Sequence, residues 1–363
     1  MRAKISITKK TKHLTQDDFL NLFQDFINDS YNGKRTKKNG AKISHGTVKN
    51  YEYLQQHLKG FTENREFELR LYMVHNLNQR ELERANNYNK RFYKYFTNYL
   101  YKERNVFDNY LGTLIKCLKT FYNYVKDERS IPIGTFHKLF YVPAEEIPII
   151  TLNNEQLNFL IKNEEFHQQA RELELEDVKD IFVFGCTVAL RVSDLLGLSK
   201  QNLIVQSDKY YIRVKSQKTR TVTSIKLPDY AVEILKKYEN NMGTALLPQM
   251  SIAWFNTRLK RLASLIPDDF TIVKTRQQKG KDVVVYKDTK KKTHYKLSDH
   301  ITTHTMRRTA ITTMLSLGMP EHVVRKISGH APNSKEFFRY VKLAQSFLDD
   351  ETDRVFDKLL AKN

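Results

Sequence analysis

Six residues in the second half of the chain have types and spacings suited to chemistry on an anion: Arg191, Lys218, His304, Arg307, His330 and Tyr340. His304 and Arg307 stand in the run His304-Thr-Met-Arg307-Arg308 at the start of a predicted helix. Three residues apart, they share one helical face and address the same anion, and the helix N-terminus adds amide donors and a favourable dipole. Arg191 follows the apolar run Ile181–Leu190 and precedes Val192-Ser-Asp-Leu-Leu-Gly-Leu198. Read alone, such an arginine can be a plain partner of a helix C-terminus. Lys218 falls at the turn between two predicted strands within 210–227, where a solvated surface lysine is the ordinary alternative. Gly318 closes one helix, Pro320 opens the next at its first position, and Gly329 ends that short helix in a left-handed cap, delivering His330 at a sharp turn. Tyr340 comes ten residues later in Glu336-Phe-Phe-Arg-Tyr-Val-Lys342. With 20 tyrosines in the chain, any single one is ordinarily core or surface, but Tyr340 is the only one between His330 and the C-terminus.

Taken in order, these pieces resemble the tyrosine recombinase (phage integrase) family. The family signature is an arginine in a G-L-R-x-x-E/D-L-like element, a hairpin lysine, H-x-x-R, then G-H and a tyrosine about nine residues on. Here the pieces are Ala189-Leu190-Arg191-Val192-Ser193-Asp194-Leu195, Lys218, His304…Arg307, Gly329-His330 and Tyr340. The set covers about 155 residues. Segment 47–130 is similar, less distinctively, to the family's helical core-binding (SAM-like) domain. Two departures are visible: Ala189 replaces the usual glycine, which is read as harmless, and the gap from His330 to Tyr340 is one residue longer than usual.

The resemblance implies a phosphoryl transfer. Arg191 and Arg307 compensate charge on the non-bridging oxygens with forked guanidinium groups, a geometry lysine does not reproduce. The Tyr340 phenol attacks the scissile phosphate, giving a 3′-phosphotyrosine and a free 5′-hydroxyl. Lys218 is the general acid for the leaving oxygen, His304 assists proton transfer, and His330 donates to the phosphate or positions it. The arginines take the place of a metal, no Asp/Glu/His cluster has a metal site's spacing, and no cofactor or ATP is implied. The implied function is site-specific DNA recombination or integration, with strand exchange through a Holliday junction. Four protomers would form a ring on double-stranded DNA, residues 343–361 packing on a neighbour, with accessory DNA-bending or directionality proteins as further partners. Two alternatives remain open: a type IB topoisomerase- or protelomerase-like resolvase, and a non-catalytic DNA-binding protein on the same fold. A separate helical N-terminal domain and a short chain favour the recombinase, and a pure binder has no need of Tyr340.

The elements that must position these residues read as a mainly α fold with a small antiparallel β-sheet. At about 150 residues per domain, 363 residues suggest two or three domains. Residues 1–46 are expected to form a basic N-terminal arm or extension, punctuated at 32–40. Residues 47–130 form a helical core DNA-binding domain: Val48, Tyr51, Leu54, Leu58 and Phe61 share one face, with Thr47 as N-cap, and two further helices run through 88–100 and 111–125. Pro132, Pro143 and Pro148 mark 131–150 as a linker. A catalytic domain with a C-terminal helix occupies 151–363. Within it lie a helix from about Asn153, another ending at Leu190, strands near 203–206, 210–215 and 221–227, helices near 229–239 and 252–265, and a basic hairpin over 271–296.

Composition agrees with a polyanionic partner. Lys+Arg 61 against Asp+Glu 41 leaves a formal charge of +20, and neutralised phosphates release counterions that drive association. An apolar share of 40% is enough to build cores. Cys117 and Cys186 are expected to be small core hydrophobes, too few for a disulfide framework. No stretch reads as a signal peptide or a membrane span, so a cytoplasmic, nucleoid-associated protein without a membrane partner is expected.

Overall fold

The computed structural model describes Thr8 and residues 11–217, 221–240, 243–267 and 269–360. Two units separate by their internal contacts: one runs to Ile147 and takes in Thr275–Val285, and the other comprises Pro148–Lys274 and the chain from Tyr286 onward.

The first unit is built on α1 (Gln16–Tyr31), α2 (His45–Arg65), α3 (Gln79–Lys102) and α4 (Asp108–Asn123), with a short antiparallel pair β1 (His13–Leu14) and β2 (Leu71–Tyr72). α1 starts at a reciprocal capping box between Thr15 and Asp18. Its Phe19, Leu22, Phe23 and Phe26 repeat at helical spacing and are fully buried, Phe23 lying 4.6 Å from Phe121 of α4 between ring centroids. Burying such side chains stabilises by about 1.5–3 kcal/mol each. Within the arm or extension expected over 1–46, residues 16–31 form a core helix, and the basic punctuated stretch lies after them. The N-cap of α2 is Ser44 rather than Thr47, the two hydroxyls lying 2.9 Å apart, while Val48, Tyr51, Leu54, Leu58 and Phe61 are buried as their spacing predicts.

The segment read as a linker also divides. Ile131, Ile133 and Phe140 are buried in the first unit's core, and a 3-10 turn spans Phe136–Leu139. Prolines interrupt the helical period there, but the apolar residues between them still anchor the chain. The basic hairpin expected over 271–296 is present as two strand pairs, Thr271–Ile272 with Tyr295–Lys296 at its base and Lys274–Gln278 with Lys281–Val285 beyond. Its Lys279-Gly280 turn has positive φ at both residues, 57° and 71°, the geometry of a two-residue hairpin loop. Asp108 accepts from Lys279 N and Gly280 N at 2.8 Å each. Glu145 accepts from Arg276 Nε and the Gln277 amide, so Arg276 is committed to a carboxylate.

The second unit contains α5 (Asn154–Lys162), α6 (Glu164–Glu172), α7 (Glu176–Val188), α8 (Val192–Leu196), α9 (Asp229–Lys237), α10 (Ile252–Ala263), α11 (Leu297–His300), α12 (Thr303–Ser316), α13 (Glu321–Ser328) and α14 (Lys335–Leu360). A three-stranded antiparallel sheet joins β3 (Leu203–Gln206), β4 (Lys209–Lys215) and β5 (Val222–Lys226), with Ile212 opposite Ile225 and Val214 opposite Thr223. Alternate β4 residues Ile212 and Val214 face the core, as period two requires. From Ile181 onward α7 is almost wholly apolar and accordingly buried, with α12 packed along it. A Cβ on Gly185 would collide with Met306 Sδ, so glycine here lets α12 approach closely just before Arg307. Both cysteines are buried and unbridged, and burial pushes the Cys117 thiol up to about 11. Among the described residues, no helix is long and apolar enough to cross a membrane.

Candidate active site

The chain leaves α7 through Ala189, which is fully buried and adopts φ 53°, ψ 21°. Left-handed backbone costs an alanine about 1–2 kcal/mol that a glycine avoids. The substitution read as harmless is thus a conformational strain at the doorstep of the site. Arg191 then takes the extended N-cap position of α8. Its Nη1 donates to Ser216 Oγ at 3.1 Å, and Ser216 Oγ donates to Asp194 Oδ2 at 2.9 Å. Asp194 Oδ1 accepts from Gln217 N at 3.0 Å. Lys218 lies outside the described residues; on either side of it, Ser216 N donates to Thr221 O at 2.8 Å.

Arg307 is only 7% exposed. Its Nη1 donates to Ala189 O at 2.8 Å and its Nη2 to Ser328 O at 2.6 Å, so one guanidinium joins the ends of α7 and α13. Helix C-termini carry partial negative charge, which suits a buried cation. Burial first, and then the Arg191 charge, bring its pKa down to about 10, leaving it protonated at neutral pH. His330 follows Gly329, whose φ of 63° and close approach to Thr221 Oγ1 set the end of α13 against the start of β5. The imidazole lies 3.3 Å from Arg307 Nη2 through Nε2 and 2.8 Å from Ser328 Oγ through Nδ1. Burial, Arg307, Arg191 and Arg325 push His330 down to about 4, so it is neutral at pH 7. Ser328 Oγ already donates to Val324 O at 2.7 Å, which assigns the ring proton to Nδ1 and leaves Nε2 an acceptor.

Tyr340 sits on α14, 4% exposed, in a cluster with Ala189, Ala310, Ile311, Val324 and Phe337. Its ring centroid is 5.9 Å from that of His330, and its hydroxyl donates to Glu336 Oε1 at 3.5 Å. Burial and Glu336 raise the phenol pKa, opposed by Arg308 and Arg307. His304, the second residue of α12, is exposed one turn before Arg307.

The structure thus gathers Arg191, Arg307, His330 and Tyr340 into one neighbourhood and gives His304 the entrance of the same helix. Sequence reasoning missed two members. Asp194 was visible as the acid of the arginine element, whereas Ser216 carries no signal of its own. Among the described residues no group of three or more His, Cys, Asp or Glu is placed to hold a metal ion.

The sequence model described as "Phage integrase family" matches residues 152–346. Comparison with curated proteins gives no match. By structure, the chain is similar to a lambda integrase tetramer bound to a Holliday junction, with TM-score 0.58, 13% identity, and 92% of this chain and 78% of that one covered. It is also similar to a lambda integrase dimer bound to a COC′ core site, with TM-score 0.56, 12% identity and coverage of 91% and 78%. A third similar structure is XerH site-specific recombinase bound to palindromic difH substrate in a post-cleavage complex, with TM-score 0.51, 12% identity and coverage of 97% and 99%. At these identities the likeness is one of fold: a mainly helical chain with core-binding and catalytic domains and small antiparallel sheets. Because the family match spans more than half of the 363 residues and includes the arginines, both histidines and Tyr340, the chain belongs to the phage integrase family.

Proposed function

We propose that the protein is a tyrosine site-specific recombinase that cuts and rejoins DNA through a covalent bond to Tyr340. The observation that carries this reading is the convergence of two arginines and a neutral histidine with a buried tyrosine in a family whose sequence model covers all of them. Arg307 is locked by two carbonyls, so its charge needs no reorganisation when a phosphate arrives. Tyr340 Oη bonds to phosphorus as the P–O5′ bond breaks; His304 assists departure of the phenolic proton, and Lys218 supplies a proton to the 5′-oxygen. His330, held by Arg307 and Ser328, positions the phosphate. Reversal with the 5′-hydroxyl of another strand rejoins the DNA, and the phosphodiester energy is conserved in the phosphotyrosine. The first and second units both serve as duplex-binding parts, in keeping with the formal +20 charge. The lambda integrase tetramer on a Holliday junction supports assembly of four copies on DNA.

The test is a nicked suicide substrate incubated with the protein in excess EDTA. Wild type is expected to form a denaturation-resistant DNA adduct and Tyr340→Phe none. An adduct from the Phe variant, or an absolute need for magnesium, would overturn the reading.

A further inference from the structure

We propose that Ser216 is a positioning residue for this reaction: one hydroxyl ties the Arg191 guanidinium to the buried Asp194 carboxylate. The inference rests on the recombinase reading and deepens it.

A serine hydroxyl has one proton and two lone pairs. Asp194 Oδ2, 2.9 Å away, is an acceptor and takes the proton. The lone pairs are then left for Arg191, whose guanidinium can only donate and whose Nη1 lies at 3.1 Å. Direction along the chain is therefore fixed from the carboxylate outward. The carboxylate is fixed in turn, because its Oδ1 accepts from the amide of Gln217, the residue before Lys218. The backbone of Ser216 is held as well, its amide donating to Thr221 O at 2.8 Å.

Asp194 also stands three residues after Arg191 in the first turn of α8. A single carboxylate thus anchors both the serine that pins Arg191 and the backbone leading into Lys218. Ser216 is 6% exposed and Asp194 3% exposed, so water competes little with these bonds. An arginine side chain is long and rotamer-rich, and pinning one nitrogen removes most of that freedom before DNA binds. Misplacing a catalytic group by about 1 Å can cost on the order of 100-fold in rate.

The experiment measures the rate of covalent adduct formation on the nicked substrate, with DNA affinity and thermal melting measured alongside. Ser216→Ala is expected to slow adduct formation by about 10- to 100-fold, the worth of one hydrogen bond to a charged group, with affinity unchanged within about twofold. Ser216→Thr, which keeps the hydroxyl, restores most of the rate. In an Arg191→Ala background the Ser216→Ala change adds nothing, because the two residues act through one bond. If the alanine variant unfolds, Ser216→Cys fills the same space with a poor acceptor and is expected to show the same loss. A wild-type rate in Ser216→Ala or Ser216→Cys overturns the proposal, as does a full multiplicative loss on top of Arg191→Ala. Absence of any adduct from wild type would instead remove the recombinase reading itself.

Discussion

Replacing Arg307 by lysine keeps the charge and removes the fork. In the structure Nη1 reaches Ala189 O and Nη2 reaches Ser328 O, and a single ammonium cannot take both places at once. One buried helix-terminal carbonyl then loses a charged donor, a loss of about 1.5–3 kcal/mol. With a urea slope of about 2 kcal/mol/M, the unfolding midpoint of the second unit falls by roughly 1 M. Trp254, the only tryptophan, lies on α10 of that unit, so its fluorescence reports this transition. Adduct formation is expected to fall by about three orders of magnitude or more, by analogy with an arginine finger. A lysine variant with unchanged midpoint and near-normal cleavage would refute the claim that one guanidinium both staples two helix ends and serves the phosphate.

Three further outcomes follow from the same geometry. His330 has a folded pKa of about 4, below the ordinary imidazole value of 6.5, so the unfolded chain binds the extra proton between those values. Its contribution to stability is complete above about pH 6.5 and declines towards pH 4 by at most about 1.4 kcal/mol per unit; urea midpoints against pH should show a shallower decline in His330→Gln, and an identical decline would contradict its burial as a neutral group. Ala189→Gly removes the left-handed strain at φ 53° and is expected to raise the second unit's stability by about 0.5–1 kcal/mol once glycine's unfolded-state entropy is deducted, read as a higher urea midpoint; a lower midpoint would contradict the strain. Replacing the exposed Lys281, Lys290, Lys291 and Lys292 by glutamine should flatten the slope of log K against log salt by roughly three to four units, at about 0.9 per phosphate contact, whereas Arg276→Gln should leave it unchanged because Arg276 is paired with Glu145; equal slopes for wild type and the four-lysine variant would show that these lysines do not touch DNA.

The parts legible in the sequence were those whose signals are local. The uninterrupted apolar run of α7, the alternation of β4, the glycine caps at Gly318 and Gly329 and the capping box at Asn153 are set by neighbours within a few residues. The order of Arg191, His304, Arg307, His330 and Tyr340 was readable through the resemblance to the phage integrase family, whose motifs fix both residue type and sequence order. α1 was legible in principle from Phe19, Leu22, Phe23 and Phe26, but the basic stretch after it drew the whole segment towards an arm. Pro320 takes the N-cap of α13 rather than its first helical position, a one-residue shift that periodicity cannot resolve.

What the sequence withheld was long-range or carried by backbone. Ser216 meets Asp194 across 22 residues, and Arg307 meets Ala189 O across 118. Glu145 holds the hairpin across more than 130 residues, partly through the Gln277 amide, and a main-chain donor leaves no trace in residue type. The positive φ of Ala189 is a consequence of the path from α7 into α8, and no alanine advertises it.

The central claim is that Tyr340 becomes covalently joined to DNA. The most direct measurement traps the adduct on nicked DNA, digests the DNA and the protein, and locates the residual nucleotide by mass spectrometry of the peptides. The account predicts a nucleotide linked through its 3′-phosphate to the Tyr340 hydroxyl. A nucleotide on any other residue, or a 5′-phosphate linkage, would contradict it.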